Sequence, residues 1–292
     1  MPKLLVVDKS IFHCLSLCDE KLQAFVRDYN VVLPDALAVE CLISEKQIGP
    51  DDKDPKKLLR SFQGAIKAGA KMGCSSSKLF RTEKTTLCPV KSVVDEDNTK
   101  LFRNGVLNLE DIKQEAERCR KAFEPTINLL LKIAETLYGN PCIREKLSEE
   151  FRKATQRDAR FEKWIQLTNK SMNGIMEKEF SKQISSHADA SWFTWQITRL
   201  CIACCWDWYF KKNLSNSIKV FRSNDYYDIE HISYLSQADG LLTNDKKLQV
   251  PLAEIAFPEK KVFVVETENK TRNAQNVFDD IVKQIPKSYK VG

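Results

Sequence analysis

The chain has 292 residues, of which 42% are hydrophobic and 29% are charged. That length suits one large domain or two ordinary ones, and there is enough apolar material for a sizeable core, which excludes a mainly disordered chain. The net charge is +6, and residues 50–215 carry the whole excess with thirty basic and twenty-two acidic side chains. Nucleic acid is one partner that this distribution fits, but charge alone favours a solvated lysine-rich surface slightly.

The first 45 residues alternate between strand and helix patterns. An apolar run over residues 3–7 ends at Asp8 and predicts a buried parallel strand. Apolar spacing over 11–26 predicts a helix, and a second strand is predicted over 30–33. Pro34 and the residue after it open a second helix, which is predicted to run to about residue 45.

The middle of the chain has a helical pattern. Loops are predicted at 73–77 and 95–98. The predicted helices cover residues 112–137, 143–168, 175–184 and 190–212. The last of them is apolar nearly all round and is expected to be the central helix of this region. Arg199 and Asp207 interrupt it, so a membrane span is not expected.

The end of the chain returns to strand–helix alternation. Strands are predicted at 218–221, 240–243 and 261–265, and helices at 226–237, from Asp245 onward and at 272–285. Alternation at both ends predicts one α/β domain in two parts, 1–49 and 216–292, interrupted by an all-helical insertion over 50–215.

Several carboxylates fall where this fold would place a site. Asp8 and Asp245 follow predicted parallel strands, whose carboxyl ends meet at one edge of a sheet. Glu40 has apolar neighbours in its helix, so it is expected to be buried beside a cation or a metal. Asp228 begins a helix, and His231 lies one turn further on the same face. Each of these residues could instead have a purely structural role. The aspartates could cap helices, Glu40 could form a buried ion pair, and His231 could be a core residue.

Three segments resemble PIN-domain nucleases. The first segment, residues 4–10, contains a predicted strand followed by Asp8 and Ser10. The second, residues 31–40, ends at Glu40. The third, residues 228–245, contains Asp228, Thr243 and Asp245. The resemblance implies a three-layer α/β/α fold with a central parallel sheet. It also implies a catalytic and metal-binding quartet of Asp8, Glu40, Asp228 and Asp245, with Ser10, Thr243 and His231 in support.

The predicted function is that of a metal-dependent nuclease, with endoribonuclease activity implied by the resemblance. Four acidic groups suit Mg²⁺ or Mn²⁺ better than zinc, and such an ion would activate water for attack on a phosphodiester. Single-stranded RNA is the expected partner, held by the basic middle of the chain. The alternatives are a non-catalytic scaffold that binds a protein partner through the insertion, and a DNA nuclease of a defence or repair system. The sequence leaves open whether a protein inhibitor binds the chain and whether the chain forms a homo-oligomer.

Other patterns carry less weight. Cys201, Cys204 and Cys205 could supply half of a zinc site, but no second cysteine pair accompanies them, which favours buried core thiols. The five tryptophans could stack on bases, yet their apolar helices favour a core role. With no secretion signal before Asp8, the ten cysteines are expected to be free thiols in the cytoplasm.

Overall fold

The computed structural model describes residues 2–38, 40–41, 57–106, 157–180, 188–215, 223–266 and 273–291, with single helical positions between 111 and 145. Its centre is a five-stranded sheet in the order β3-β2-β1-β4-β5, and all four strand pairings are parallel. The strands are β1 (Leu5–Val7), β2 (Val31–Leu33), β3 (Lys71–Met72), β4 (Gly240–Thr243) and β5 (Lys261–Val264). The predicted α/β fold with a central parallel sheet is therefore confirmed.

Helices connect the strands along the chain. In the first part they are α1 (Lys9–Leu15), α2 (Asp19–Asp28), α3 (described at 35–38 and 40–41), α4 (Lys57–Ala68), α5 (Ser76–Thr86) and α6 (Glu96–Arg103). In the second part they are α7 (Arg157–Phe180), α8 (Phe193–Ser215), α9 (Ser223–Ser233), α10 (Gln249–Ala256) and α11 (Ala274–Gln284). A 3₁₀ turn, Tyr234–Ser236, continues α9 towards β4.

The helices form two packing groups. The first contains α1, α2, α4, α6 and α11, and the second contains α5, α7, α8, α9 and α10. This arrangement is consistent with three α/β/α layers. The strands between them are apolar throughout: Leu5, Val6 and Val7 of β1 are fully buried, because a parallel strand is covered on both faces.

The expectation of an all-helical segment over 50–215 is wrong at β3. Lys71 and Met72 pair in parallel with Val32 and Leu33, so this segment supplies an edge strand of the sheet. A two-residue strand that begins with lysine has no apolar run or alternation to reveal it. The division of the chain into 1–49, 50–215 and 216–292 stays a prediction.

Some predicted element limits also change. The helix predicted over 11–26 is two helices, α1 and α2. The loop predicted at 95–98 is the first turn of α6, which Asp95 caps by accepting a hydrogen bond from the Asn98 N–H at 3.1 Å. The strand predicted at 218–221 lies outside the described residues. No helix in the described part of the chain is both long enough and apolar enough to span a bilayer.

Candidate active site

The candidate site lies where the strand order reverses. β1 and β4 are neighbours, and the chain continues from them to opposite edges of the sheet. Crevices of this kind, outside the carboxyl ends of the strands, are where open α/β sheets bind ligands. Asp8 follows β1, and its N–H donates to Leu242 of β4 at 2.9 Å. Thr243 ends β4, so the two strands bring these side chains to one place.

Asp8 is buried and receives several hydrogen bonds. Its carboxylate accepts from the hydroxyl of Ser10, from Thr243 Oγ1 at 3.3 Å and from Gln249 Nε2 at 3.1 Å. It also caps α1, where its nearest backbone donor is the Ser10 N–H at 3.4 Å. Burial alone would raise the pKa of Asp8, but His231 and the bonds from Ser10 and Gln249 together lower it below 3.8. Asp8 therefore remains ionised. Its carboxylate can cap α1 and belong to the candidate site at the same time.

Glu40 lies in α3 with only 4% of its surface exposed. Its cationic neighbours are Lys9, whose Nζ is 3.7 Å away, and His231, whose Nε2 is 3.8 Å away. Burial, joined by the charge of Asp8, raises the pKa of Glu40 despite these two cations. Within the described residues, Glu40 Oε2 accepts no hydrogen bond. The predicted buried carboxylate is present, and one of its oxygens is left for a ligand.

Asp228 and His231 lie one turn apart on α9 and face the same crevice. Ligand atoms of Asp8, Asp228 and His231 all lie within 4.8 Å of one another. Burial, followed by repulsion from Glu40 and Asp8, raises the pKa of Asp228 well above 3.8. His231 Nδ1 is 3.5 Å from Asp8. Burial would lower the pKa of His231, but Asp8 and Glu40 raise it, so the imidazole tends to hold a proton between two carboxylates.

Gln249 is a member of the site that the sequence did not indicate. It is fully buried at the start of α10, and its Nε2 donates to Asp228 at 2.8 Å and to Asp8 at 3.1 Å. One amide group therefore links the two carboxylates. The available signal was weak: a glutamine in an apolar stretch, four residues after Asp245.

Asp245 has a different environment from the other three acids. Its carboxylate accepts from the backbone N–H of Lys247 at 2.8 Å, of Leu248 at 3.0 Å and of Gln249 at 3.4 Å. It therefore caps the turn that leads into α10, and it is not a member of the metal-competent group. Its connection to the site is indirect, through Gln249 and through its own N–H, which donates to Thr243 Oγ1 at 3.0 Å. The structure thus joins Asp8, Glu40, Asp228 and His231, with Asp245 beside them.

The cysteine and tryptophan candidates belong to the core. Cys201, Cys204 and Cys205 are buried in α8, and burial raises the pKa of Cys201 well above 9.0, which keeps it a neutral thiol. Trp164 and Trp192 are buried as well, which removes them as base-stacking platforms. His13 is exposed, and His187 lies outside the described residues.

Comparisons with protein-family models, with curated proteins and with solved structures found no match. The chemical character of the crevice is nevertheless specific. Two carboxylates with raised pKa values and one with a lowered pKa surround an imidazole at the carboxyl-end edge of the sheet. Perturbed titratable groups clustered in a crevice make this place a candidate functional site.

Proposed function

We propose that this chain is a metal-dependent phosphodiester hydrolase, a nuclease of the PIN-like type that cleaves RNA in preference to DNA. The observation that carries the proposal is the convergence of Asp8, Glu40 and Asp228 at the crevice between β1 and β4. The preference for RNA comes from the resemblance of residues 228–245 to that family. The positive charge of residues 50–215 supports a polyanionic substrate.

The donor set fits a hard divalent cation. Three buried or half-buried carboxylates share one crevice with only Lys9 and His231 as cationic contacts among the described residues. The raised pKa values of Glu40 and Asp228 mean that this positive charge does not fully balance the carboxylates. Oxygen-rich groups of this kind select Mg²⁺ or Mn²⁺. Asp8, Asp228 and Glu40 would hold the ion, with His231 within the same 4.8 Å group as the two aspartates.

Each side chain of the site has a separate role in the proposed reaction. A divalent ion bound here would lower the pKa of a water molecule and stabilise charge on the phosphate oxygens. Gln249 holds Asp8 and Asp228 together, which prevents their mutual repulsion from opening the site before substrate arrives. Ser10 and Thr243 fix the orientation of Asp8. His231 holds a proton between Asp8 and Glu40 and limits the net negative charge of the cluster before an ion binds.

A second candidate, a non-catalytic scaffold, is supported by the same histidine. A protonated His231, together with Lys9, supplies positive charge at Glu40 without any metal. A scaffold of this kind would keep the fold and bind a protein partner through residues 50–215. It predicts no metal affinity at the crevice, and this separates it from the nuclease.

The deciding experiment is cleavage of a labelled single-stranded RNA and of the DNA with the same sequence, in Mn²⁺ and in EDTA. We expect metal-dependent cleavage, faster on RNA. The double variant Asp8→Asn/Asp228→Asn keeps the side-chain shapes and removes two ligand charges, so it should lower the rate about a hundredfold or more.

The matched control is Asp19→Asn, which removes one carboxylate from the exposed first turn of α2. Its rate should equal that of the wild type. Cleavage that persists in EDTA, or that survives the double substitution, would show that these acids do not catalyse it. Absence of cleavage together with absence of metal binding would favour the scaffold.

A further inference from the structure

Helix α4 carries a basic stripe on its exposed side. Lys57, Arg60 and Lys67 are all exposed, and at about 100° per residue they fall within an arc of roughly 80° around the helix. The buried side of the helix consists of Leu58, Leu59, Phe62, Ala65 and Ile66. No acidic residue occurs in α4, so no carboxylate of this helix balances the stripe.

The segment that contains α4 is strongly basic on its surface. Residues 57–106, from α4 to just beyond α6, contain ten basic and four acidic side chains, a difference of +6. Two of these acids, Glu83 and Asp95, are buried and accept hydrogen bonds inside the fold. The exposed charges are therefore nine basic side chains against Glu96 and Asp97. Most of the positive excess of residues 50–215 lies on this surface.

A glycine lies within the stripe, between Arg60 and Lys67. Gly64 is in the middle of α4, where glycine destabilises a helix relative to alanine. Within the described fold, no neighbouring atom lies within 4 Å of a Cβ built at this position, so packing does not require a glycine. Its φ is not positive either. What the missing side chain does provide is open helix backbone between two cations, which another chain can approach closely.

The stripe leads to the edge of the sheet that carries the acidic crevice. Helix α4 connects β2 to β3, which are parallel, and it ends at Ala68, just before β3 begins. Its last turn therefore lies at the amino-end edge of the sheet. Lys57 is about 15 Å further back along the helix than Lys67, towards the carboxyl-end edge, where Asp8 lies. A polymer strand along α4 would thus lead to the crevice.

We propose that the exposed side of α4 binds the phosphodiester backbone of single-stranded RNA, with phosphates at Lys57, Arg60 and Lys67 and the closest approach at Gly64. This inference rests on the proposed nuclease function and locates the surface that guides the substrate to the crevice. Charge complementarity carries it, because a row of cations along one helix suits the successive phosphates of one strand.

The test is binding of a fluorescently labelled single-stranded RNA in EDTA, measured by anisotropy between about 50 and 200 mM salt. Lys57→Gln/Lys67→Gln should weaken binding about tenfold at the lower salt concentration. It should also reduce the slope of log K against log salt by about 1.4, because each phosphate contact to a single strand contributes about 0.7. The matched control, Lys283→Gln/Lys287→Gln, removes two exposed lysines near the end of the chain and should bind RNA like the wild type.

The variant Gly64→Gln tests the close approach without changing the charge. It should weaken RNA binding severalfold, because the added side chain holds the strand away from the helix. Its urea unfolding midpoint should be at least as high as that of the wild type, since glutamine is the better helix former and has free space here. Loss of affinity in this variant is therefore separated from loss of the fold.

Equal effects of the two lysine pairs would overturn the proposal, as would RNA binding that neither Lys57→Gln/Lys67→Gln nor Gly64→Gln weakens, or absence of RNA binding by the wild type. Polyglutamate that displaces the labelled RNA as well as unlabelled RNA does would overturn the assignment to nucleic acid. Binding that depends on Lys57 and Lys67, with no cleavage in any metal, would support the surface and contradict the nuclease. Cleavage that the lysine pair does not affect, with an unchanged salt slope, would do the reverse.

Discussion

His231 occupies the most consequential position among the single residues. It is fully buried, yet its two ring nitrogens lie 3.5 Å from Asp8 and 3.8 Å from Glu40. The carboxylates raise the pKa of His231 above 6.5 against the opposing effect of burial. A group whose pKa is raised on folding stabilises the folded state below the unfolded pKa, and this stabilisation is lost as the pH rises through the folded pKa.

We therefore expect the metal-free protein to lose stability as the pH rises above about 6.5, by about 1.4 kcal/mol for each pKa unit that His231 is shifted. Glu40 and Asp228 act in the same direction, since their raised pKa values make ionisation costly in the folded state. Asp8, with its lowered pKa, contributes stability that is lost only in acid, below 3.8. Urea unfolding in EDTA across neutral pH measures the slope.

The variant His231→Gln keeps a polar side chain of similar size that does not titrate. It should flatten the pH dependence above about 6.5, because the titrating imidazole is gone. A slope equal to that of the wild type would show that His231 does not carry the extra proton. Replacement of exposed His13 by Gln is the control and should change nothing, because that residue lies on the surface of α1.

The residue scale also shows what the sequence can and cannot predict about the site. Asp8 was a candidate because it follows a buried strand, and Glu40 because its neighbours are apolar. Asp228 was a candidate because its helix resembles a PIN-type segment, although capping remained an alternative for both aspartates. Asp245 was predicted on the same ground as Asp8, but its carboxylate is engaged by three backbone N–H groups. Gln249 was not predictable, since a neutral amide becomes informative only when the fold places it between two acids.

Among the elements, α5 and α8 are joined by a single buried carboxylate. Glu83 of α5 is 0% exposed and accepts from the Phe193 and Thr194 N–H groups, both at 2.8 Å. These are the first N–H groups of α8, which have no partner inside their own helix. A negative charge there also complements the positive end of the helix dipole. Glu83 further accepts from the Val90 N–H at 3.2 Å.

Glu83→Ala should lower the free energy of unfolding by roughly 3 kcal/mol, because it leaves several buried N–H groups without acceptors. Glu83→Gln should lower it by less, since one amide oxygen still accepts. Chemical denaturation gives both values. Glu162→Ala, an exposed position on α7, should stay within about 0.5 kcal/mol of the wild type. A loss for Glu83→Ala no larger than that of this control would contradict the capping role.

The helices and strands also show how far the fold could be predicted from the sequence. The hydrophobic pattern was sufficient to predict the long helix α8 and the strands β1, β2, β4 and β5, because each of them contains a run of apolar residues. It failed for β3, which is two residues long and is a strand only because it pairs with β2. The role of Glu83 could not be predicted either, because its partners in α8 are more than a hundred residues away in the chain.

At the scale of the whole molecule, the candidate site exists only in the folded chain. Asp8 follows β1, Glu40 lies in α3, and Asp228 and His231 lie in α9, more than 180 residues later in the sequence. The sheet order places these elements side by side. An unfolded chain cannot assemble such a set, so affinity of the site for a metal adds directly to the stability of the fold.

We therefore expect Mn²⁺ to raise the thermal unfolding midpoint of the wild type. At an ion concentration of about one hundred times the dissociation constant, the gain is about 2.7 kcal/mol, which for a chain of this size corresponds to several degrees. Asp8→Asn/Asp228→Asn should show no such rise. In EDTA the single variant Asp228→Asn should unfold no earlier than the wild type, because it relieves the repulsion that Glu40 and Asp8 exert on Asp228. An equal rise in the wild type and the double variant would place the ion elsewhere, and no rise in either would leave His231 and Lys9 as the cations that balance this crevice.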